Sequence, residues 1–383
     1  MPSVTESLTA PARSCMGIVD EAARLERSGL SVIHLEKGEL DLDTPDMVKG
    51  LAIEALRANR TRYSHSTGLP ELRRAICDYY ARRYGVDVDP AQVIVNSGSS
   101  AAMLELFLAL LEPGDEVIVP DPGYPAYPSL VQAARGRVVR AASAPAGFAY
   151  TAELAKASCS AATKAIIINF PSNPVGDVAG PAELRAFAEL DPLIVADEVY
   201  HGLAFDGAPS HSILEFTTEA VVVGSFSKSF AMTGWRLGYI IVPRWLVPVL
   251  TRLHEYVFVG TNTFVQWAAV GALEQAETIQ GLIRDELRRR HERLIAGLPR
   301  IGLRPVRMPR GGFYVFTGQP AGTGTSAEFA ATLLDRAHVA VTPGSEFGPG
   351  SEGHVRFSLS ASVEQITEGL DRLARFLQEE VRV

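Results

Sequence analysis

Seven short runs of β-branched and aliphatic residues punctuate the middle of this chain, at 93–96, 116–120, 137–140, 165–169, 193–197, 220–225 and 239–242. Most are apolar at consecutive positions, so both faces of each strand must be buried, as in a parallel sheet. Between many of them lie segments with helical spacing of apolar residues, at 100–111, 127–134 and 182–189. Strands alternating with helices predict an α/β fold, with a mostly parallel central sheet flanked by helices.

The flanks read differently. Residues 15–28 and 46–59 have helical patterns, joined by an irregular stretch around 36–45. Beyond residue 275 comes a charged helix at 277–296. Short strands at 312–317, 339–341 and 354–360 then alternate with helices at 327–337 and 363–379. This is the pattern of a separate, smaller α+β domain. A chain of 383 residues exceeds one ordinary hydrophobic core. The expected division is a large domain over 46–275 and a small C-terminal domain over 276–383. The N-terminal segment 1–45 is expected to join the small domain, because chain termini often lie close together.

Composition excludes several classes of partner. The net charge is −8 and no long basic run occurs, which argues against nucleic acid and anionic membranes. No stretch approaches the roughly 18 apolar residues of a membrane helix. The first 15 residues lack the basic-then-apolar order of a secretory signal. Cys15, Cys77 and Cys159 are too scattered for a metal site, and an odd, sparse count suits a reducing cytoplasm. Eight histidines without paired spacing give no metal site either.

Ligands of open parallel sheets bind at the carboxyl ends of the strands. Four such ends carry polar groups here. After 93–96 comes Ser97-Gly98-Ser99-Ser100 and then a helix, whose first N–H groups and dipole favour an anion such as phosphate. After 165–169 comes Phe170-Pro171-Ser172-Asn173-Pro174-Val175-Gly176, a rigid turn presenting an amide. The run at 193–197 closes on Asp197, a carboxylate that needs a partner where it is buried. After 220–224 comes Ser225-Phe226-Ser227-Lys228, and Arg236 follows eight residues beyond the lysine. A partly buried lysine has a lowered pKa and a nucleophilic neutral amine. Arg236 could grip a phosphate bidentately. Pyridoxal phosphate (PLP) has matching needs: a phosphate, a phenolic oxygen, a ring nitrogen and an aldehyde.

From about Gly17 to Ala374 the chain resembles the class I/II aminotransferases, fold-type I PLP enzymes. The most specific match is SFSKSFAMTGWRLG, residues 225–238. It is joined by GELDLDTP at 38–45, YSHSTGLPELR at 63–73, NFPSNPVG at 169–176, DEVY at 197–200 and PGSEFG at 343–348. The resemblance implies that Lys228 holds the cofactor as a Schiff base and shuttles a proton at the substrate α-carbon. It implies that Asp197 keeps the pyridine nitrogen protonated, and that Tyr200 and Asn173 bind the phenolic oxygen. Tyr124 would stack on the ring. Ser99, Ser100, Ser225 and Arg236 would bind the phosphate, and Tyr63 would reach the phosphate of a neighbouring subunit, implying a homodimer with shared sites. Arg356 would receive the substrate α-carboxylate, beside Asn173 and Gly38. The implied reaction moves an amino group from an L-amino acid to a 2-oxo acid by a ping-pong cycle. The same scaffold also hosts lyases and cyclases, so these remain the alternative.

The chain departs from the family pattern at Val175, where threonine is usual, and at Leu40 and Leu42, where proline and phenylalanine are usual. The latter two bear on substrate, not cofactor. Other polar residues read as structural. Lys37 and His65 should be solvated, His201 could stand behind Tyr200, and Trp235 should pack on the core. Glu198 should not share the role of Asp197, and Arg288, Arg289 and Arg290 should form a solvated helix face.

Overall fold

The computed structural model describes residues 15–205, 207 and 210–380, so most of the N-terminal stretch read for a signal lies outside the described residues. First come α1 (Cys15–Arg27), β1 (Ile33–His34), α2 (Asp46–Arg57) and α3 (Pro70–Tyr84). There follow β2 (Val93–Asn96), α4 (Ser99–Leu110), β3 (Glu116–Asp121), α5 (Ala126–Ala133), β4 (Arg137–Ala142) and α6 (Ala152–Ala157). Next are β5 (Thr163–Asn169), α7 (Pro181–Ala188), β6 (Leu193–Asp197), β7 (Val221–Ser225) and β8 (Gly238–Ile241). The C-terminal part holds α8 (Val247–Val257), α9 (Thr263–Glu274), α10 (Ala276–Gly297), β9 (Tyr314–Gly318), α11 (Ser326–Ala337), β10 (Val339–Ala340), β11 (Thr342–Pro343), β12 (His354–Ser358) and α12 (Val363–Glu380).

The seven-stranded sheet has the order β2-β8-β7-β6-β5-β3-β4. Its pairs are parallel from β7 through to β4, whereas β8 is antiparallel to both of its neighbours. The run at 239–242 is thus the exception in a sheet that is otherwise parallel from β7 to β4, as the mostly parallel reading allows. Only residues 226–237 separate β7 from β8, and they contain no crossover helix, so the chain must turn back. Because β8 alone is reversed, β2 points the same way as β7, and Asn96, Asn169, Asp197 and Ser225 all end strands at one edge.

Alternation within the buried strands builds two cores. Ile166, Ile168, Ala196 and Val222 face one helical layer, and Ala165, Ile167, Val195, Val221 and Val223 face the other. Each valine or isoleucine so buried contributes about 1.5–3 kcal/mol. This holds the strand ends, and therefore the polar residues on them, in fixed register. A second, three-stranded antiparallel sheet, β11-β12-β9, forms the smaller α+β part. β1 pairs in parallel with β10, tying residues near the start of the chain to its C-terminal part.

Three long helices, α3, α8 and α9, escaped the sequence reading. Helix α3 is rich in arginine and tyrosine, and its buried face includes Tyr79 and Tyr80, which do not read as an apolar stripe. In α9 Val265, Gln266, Ala268, Ala269, Gly271, Ala272 and Leu273 are all buried, so it lacks the one-sided period of a surface helix. No helix among the described residues is long and apolar enough to cross a membrane.

Candidate active site

The lysine loop leaves the sheet at Ser225 and returns at Gly238, which are directly paired in register. The N–H of Phe226 donates to Leu237 O at 3.2 Å and closes the base of the loop. Lys228 therefore projects from an excursion with pinned ends. Its Nζ donates to the carbonyl of Gly38, on the segment that crosses in front of the sheet edge. That segment is fastened to the loop twice more. Thr233 donates to Glu39, and Thr44 Oγ1 donates to Ala231 O at 2.5 Å while accepting Trp235 Nε1–H at 2.9 Å. Burial pushes the Lys228 ammonium down to about 8. Glu39 pulls it up, Arg356 and Arg236 push it down, and Asp197 pulls it up.

Asp197 is buried at the end of β6. Its Oδ2 accepts the hydroxyl of Tyr127 at 2.6 Å and its Oδ1 the N–H of Val199 at 3.3 Å. Burial lifts its carboxyl to about 6, against the hydrogen bonds from Tyr127 and Val199 and the charge of Lys228. Asn169 Nδ2 donates to Asp197 O at 2.8 Å, and the N–H of Asn173 donates to Asn169 Oδ1 at 2.9 Å, so neighbouring strand ends hold one another. Tyr200 is buried, and its hydroxyl lies 3.4 Å from that of Tyr314. Tyr124 is half-buried and meets Tyr127 edge-on, with centroids 5.3 Å apart.

Ser99 and Ser100 open α4, leaving first-turn N–H groups at the sheet edge. Ahead of them Gly98 adopts φ 97°, and a Cβ there would lie 2.6 Å from Arg236 Nη2. Glycine is what allows the guanidinium to reach this loop. Arg236 is exposed, has φ 53°, and donates through Nη1 to Thr233 O at 2.9 Å. Ser225 is buried and pairs in register with Gly238, two residues beyond Arg236, its Oγ accepting the N–H of Ser227 at 3.1 Å.

Arg356 comes from β12, in the small sheet. It is buried and donates to Asn173 Oδ1 at 3.0 Å, to Glu36 O at 2.7 Å and to Thr342 Oγ1 at 3.1 Å. Its Nε is buried without a hydrogen-bond partner. The Arg356 Cζ lies 4.0 Å from the Tyr314 ring and 4.9 Å from that of Phe347. Bonds and rings thus link Gly38, Asn173, Asp197, Tyr200, Lys228 and Arg356. Tyr63 is not among them: it is 86% exposed, on the loop between α2 and α3.

Sequence reasoning missed Tyr127, Tyr314 and Phe347. Tyr127 lies three residues after Tyr124, one helical turn on, which is a usable signal. Tyr314 carries no local signal, because only the tertiary fold brings it to Arg356, whereas Phe347 lies in the PGSEFG motif at 343–348, which marks the segment but not its contact with Arg356. Arg290 needs correction. It is buried rather than solvated, and donates to Asp41 at 2.6 Å, to Glu286 at 2.7 Å and to Leu359 O at 3.0 Å. It anchors the Gly38–Asp41 end of the crossing segment to α10.

Glu198 indeed turns away from Asp197. It is buried, accepting Tyr80 OH at 3.0 Å, Ser212 Oγ at 2.8 Å and the N–H of Ile213 at 3.0 Å. His201 joins this cluster rather than Tyr200, with Nδ1 2.8 Å from Tyr84 OH. Burial pushes the Glu198 carboxyl up to about 8 and the His201 imidazole down to about 3. The folded protein holds the Glu198 proton more tightly than the unfolded chain does. That contribution is full below 4.5, the carboxyl's ordinary value, and is lost as pH rises through about 8. His201 has the opposite sign, but above its ordinary value of 6.5 it is neutral in both states. Between pH 6.5 and 8 the Glu198 effect stands clear of it, so Glu198→Gln should lose less Tm across that window than the parent. Parallel melting curves for the two proteins would show that Glu198 is already ionised.

A lysine and a buried carboxylate within electrostatic reach at the carboxyl edge of a mostly parallel sheet, with an arginine supplied by a smaller α+β part, define a fold-type I PLP enzyme. The chain belongs to the family described as aminotransferase class I and II, which it matches over residues 31–373. It is 37% identical to a probable aspartate/prephenate aminotransferase of Thermus aquaticus, over 93% of this chain and 94% of that one. It is 36% identical to a (5-formylfuran-3-yl)methyl phosphate transaminase of Methanocaldococcus jannaschii, over 94% and 96%. A solved single mutant of Thermus thermophilus aspartate aminotransferase shares its fold with a TM-score of 0.91 at 35% identity, over 98% of this chain and 100% of that one. The protein is a PLP-dependent transaminase, an enzyme that exchanges an amino group between an amino acid and a 2-oxo acid.

The donor set fits that cofactor. The α4 N-terminus and Arg236, brought together by the missing Cβ of Gly98, suit a phosphate dianion. Asp197, whose carboxyl is raised by burial, suits a cationic ring nitrogen.

Proposed function

We propose that Lys228 is the amine that carries the cofactor and moves a proton at the substrate α-carbon. When bound, PLP supplies an electron sink for negative charge at that carbon. Asp197 holds the ring nitrogen protonated, and Tyr127 orients Asp197. Tyr200 and Asn173 donate to the phenolic oxygen, and Tyr124 covers the ring. Ser99, Ser100, Ser225 and Arg236 bind the phosphate. Arg356 receives the α-carboxylate, with Asn173 and Glu36 O setting the angle of its guanidinium and Gly38 closing the front. The observation that carries this reading is the Lys228 amine, lowered to about 8 and within electrostatic reach of a buried carboxylate.

The domain division follows the same logic. Residues 46–275 form the large domain and 276–383 the small one, with 1–45 joined to it; the pairing of β1 with β10 supports this. The active unit is a homodimer with shared sites. In support, Met47, Ile53, Tyr63, Tyr256, Val257 and Val259 are exposed apolar or aromatic side chains on α2, the loop after it, the end of α8 and the residues just beyond it. Such surface is costly to leave in water. Free Cys77 and Cys159 support a reducing, cytoplasmic location.

Relatives of similar identity carry names with different substrates, so the donor must be found directly. Purified protein, sized by light scattering against twice 41.2 kDa, would be given single amino acids without any oxo acid while its visible absorbance is followed. Acidic, aromatic and neutral donors belong in the panel. Bleaching by one donor, reversed by a 2-oxo acid, is the expected result. Release of ammonia or a cyclised product instead would hand the site to a lyase or cyclase.

A further inference from the structure

The end of β3 is stitched to the loop at 343–351 in a way that none of the roles above requires. Asp121, the last residue of β3, is buried. Its Oδ2 accepts the N–H of Gly350 at 3.2 Å, and its Oδ1 is buried without a hydrogen-bond partner. Two residues on, the N–H of Gly123 donates to Phe347 O at 3.0 Å. Gly348 adopts φ 132°, and a Cβ there would collide with Asp121 Oδ1 and come within 2.9 Å of Arg140 Nη1. The Gly348–Gly350 turn therefore crosses directly over the carboxylate, with the Arg140 cation alongside.

Both ends of this stitch lead to the active site. Gly123 runs straight into Tyr124. Phe347 is buried, meets Phe316 edge-on at 6.0 Å, and lies 4.9 Å from Arg356 Cζ. The polar partners of Arg356 fix where its N–H groups point, while the neighbouring Tyr314 and Phe347 rings restrict the tilt of its plane. A buried carboxylate with one unpaired oxygen costs stability, so packing alone would favour a neutral residue at position 121.

We propose that Asp121 is a positioning residue: by holding the Gly348–Gly350 turn it seats Phe347 against Arg356 and so sets the guanidinium that receives the substrate α-carboxylate. This rests on the reading of Arg356 given above. The test is calorimetric titration of the PLP-loaded enzyme with two unreactive carboxylates, succinate and 3-phenylpropionate. Asp121→Ala should weaken both about five- to tenfold, the order expected when one buried hydrogen-bonded carboxylate is lost. Cofactor uptake by the apoprotein should stay within about twofold. Asp121→Asn, which keeps an acceptor for Gly350, should fall between parent and alanine variant, and it carries the test alone if the alanine variant does not fold. Arg356→Ala is the reference. If it weakens carboxylate binding and neither Asp121 variant does, the proposal is overturned and the reading of Arg356 stands. If Arg356→Ala changes nothing, the reading of Arg356 falls and the proposal with it. Equal loss of cofactor and carboxylate affinity in both Asp121 variants would mean general disruption, and would also overturn it.

Discussion

Lys228→Ala should lower transamination by about four orders of magnitude or more, in a protein that still folds and still takes up PLP. The geometry separates these effects. The loop that carries Lys228 is fixed by the Ser225–Gly238 register, the Phe226–Leu237 bond and the contacts from Thr233 and Ala231 to the crossing segment. None of these uses the lysine side chain. What alanine removes is the amine, together with its bond to Gly38 O. An ammonium lowered to about 8 is substantially neutral near pH 8, when it can attack a carbonyl or accept a proton. Lys228→Arg should be as inactive, because a guanidinium stays charged. Single-turnover absorbance with the donor found in the panel measures the loss, and thermal melting with and without PLP measures the rest. An alanine variant within tenfold of the parent rate would remove Lys228 from the chemistry.

The site was legible in the sequence where chemistry is local. Each strand-end motif consists of a strand, a turn and one or two polar residues, and strand register then brings Asn96, Asn169, Asp197 and Ser225 to one edge without further instruction. What stayed hidden depends on long-range contact. Tyr314 reads as an ordinary aromatic residue near a small sheet, and Phe347, although it belongs to the PGSEFG motif, has nothing in its sequence neighbourhood that announces Arg356. Arg290 reads as one of three adjacent arginines on a polar helix, yet it alone points inward to Asp41 and Leu359 O. The antiparallel β8 is a subtler case. Its residues are as apolar as those of a parallel strand, and only the missing crossover helix between 225 and 238 distinguishes it. Helix α9 was lost for the opposite reason to α3, since it is apolar nearly all round whereas α3 hides tyrosines behind arginines.

Asp197→Asn should lower kcat by about two to three orders of magnitude, the scale for losing one preorganised electrostatic group. The amide keeps the shape. Its oxygen can still accept from Tyr127, as Oδ2 does at 2.6 Å, and its backbone still receives Asn169 at 2.8 Å, so the strand ends should hold. The negative charge is gone, however, and a neutral amide cannot keep a ring nitrogen protonated. The parent should show the same dependence as pH changes. Burial raises the Asp197 carboxyl from 3.8 to about 6, so the carboxylate in the cofactor-free protein is lost as pH falls through about 6. PLP uptake by the apoprotein should weaken over that interval, and Asp197→Asn, with nothing to titrate there, should show a flatter curve. Tyr127→Phe should shift the parent's transition upward, because the tyrosine hydroxyl stabilises the carboxylate. Fluorescence titration of PLP against apoprotein between pH 5 and 8 reads all three. An asparagine variant with the parent's pH curve and near-parental kcat would mean that the ring nitrogen is held by some other group. A flat variant beside an unshifted Tyr127→Phe would keep Asp197 and discard the part given to Tyr127.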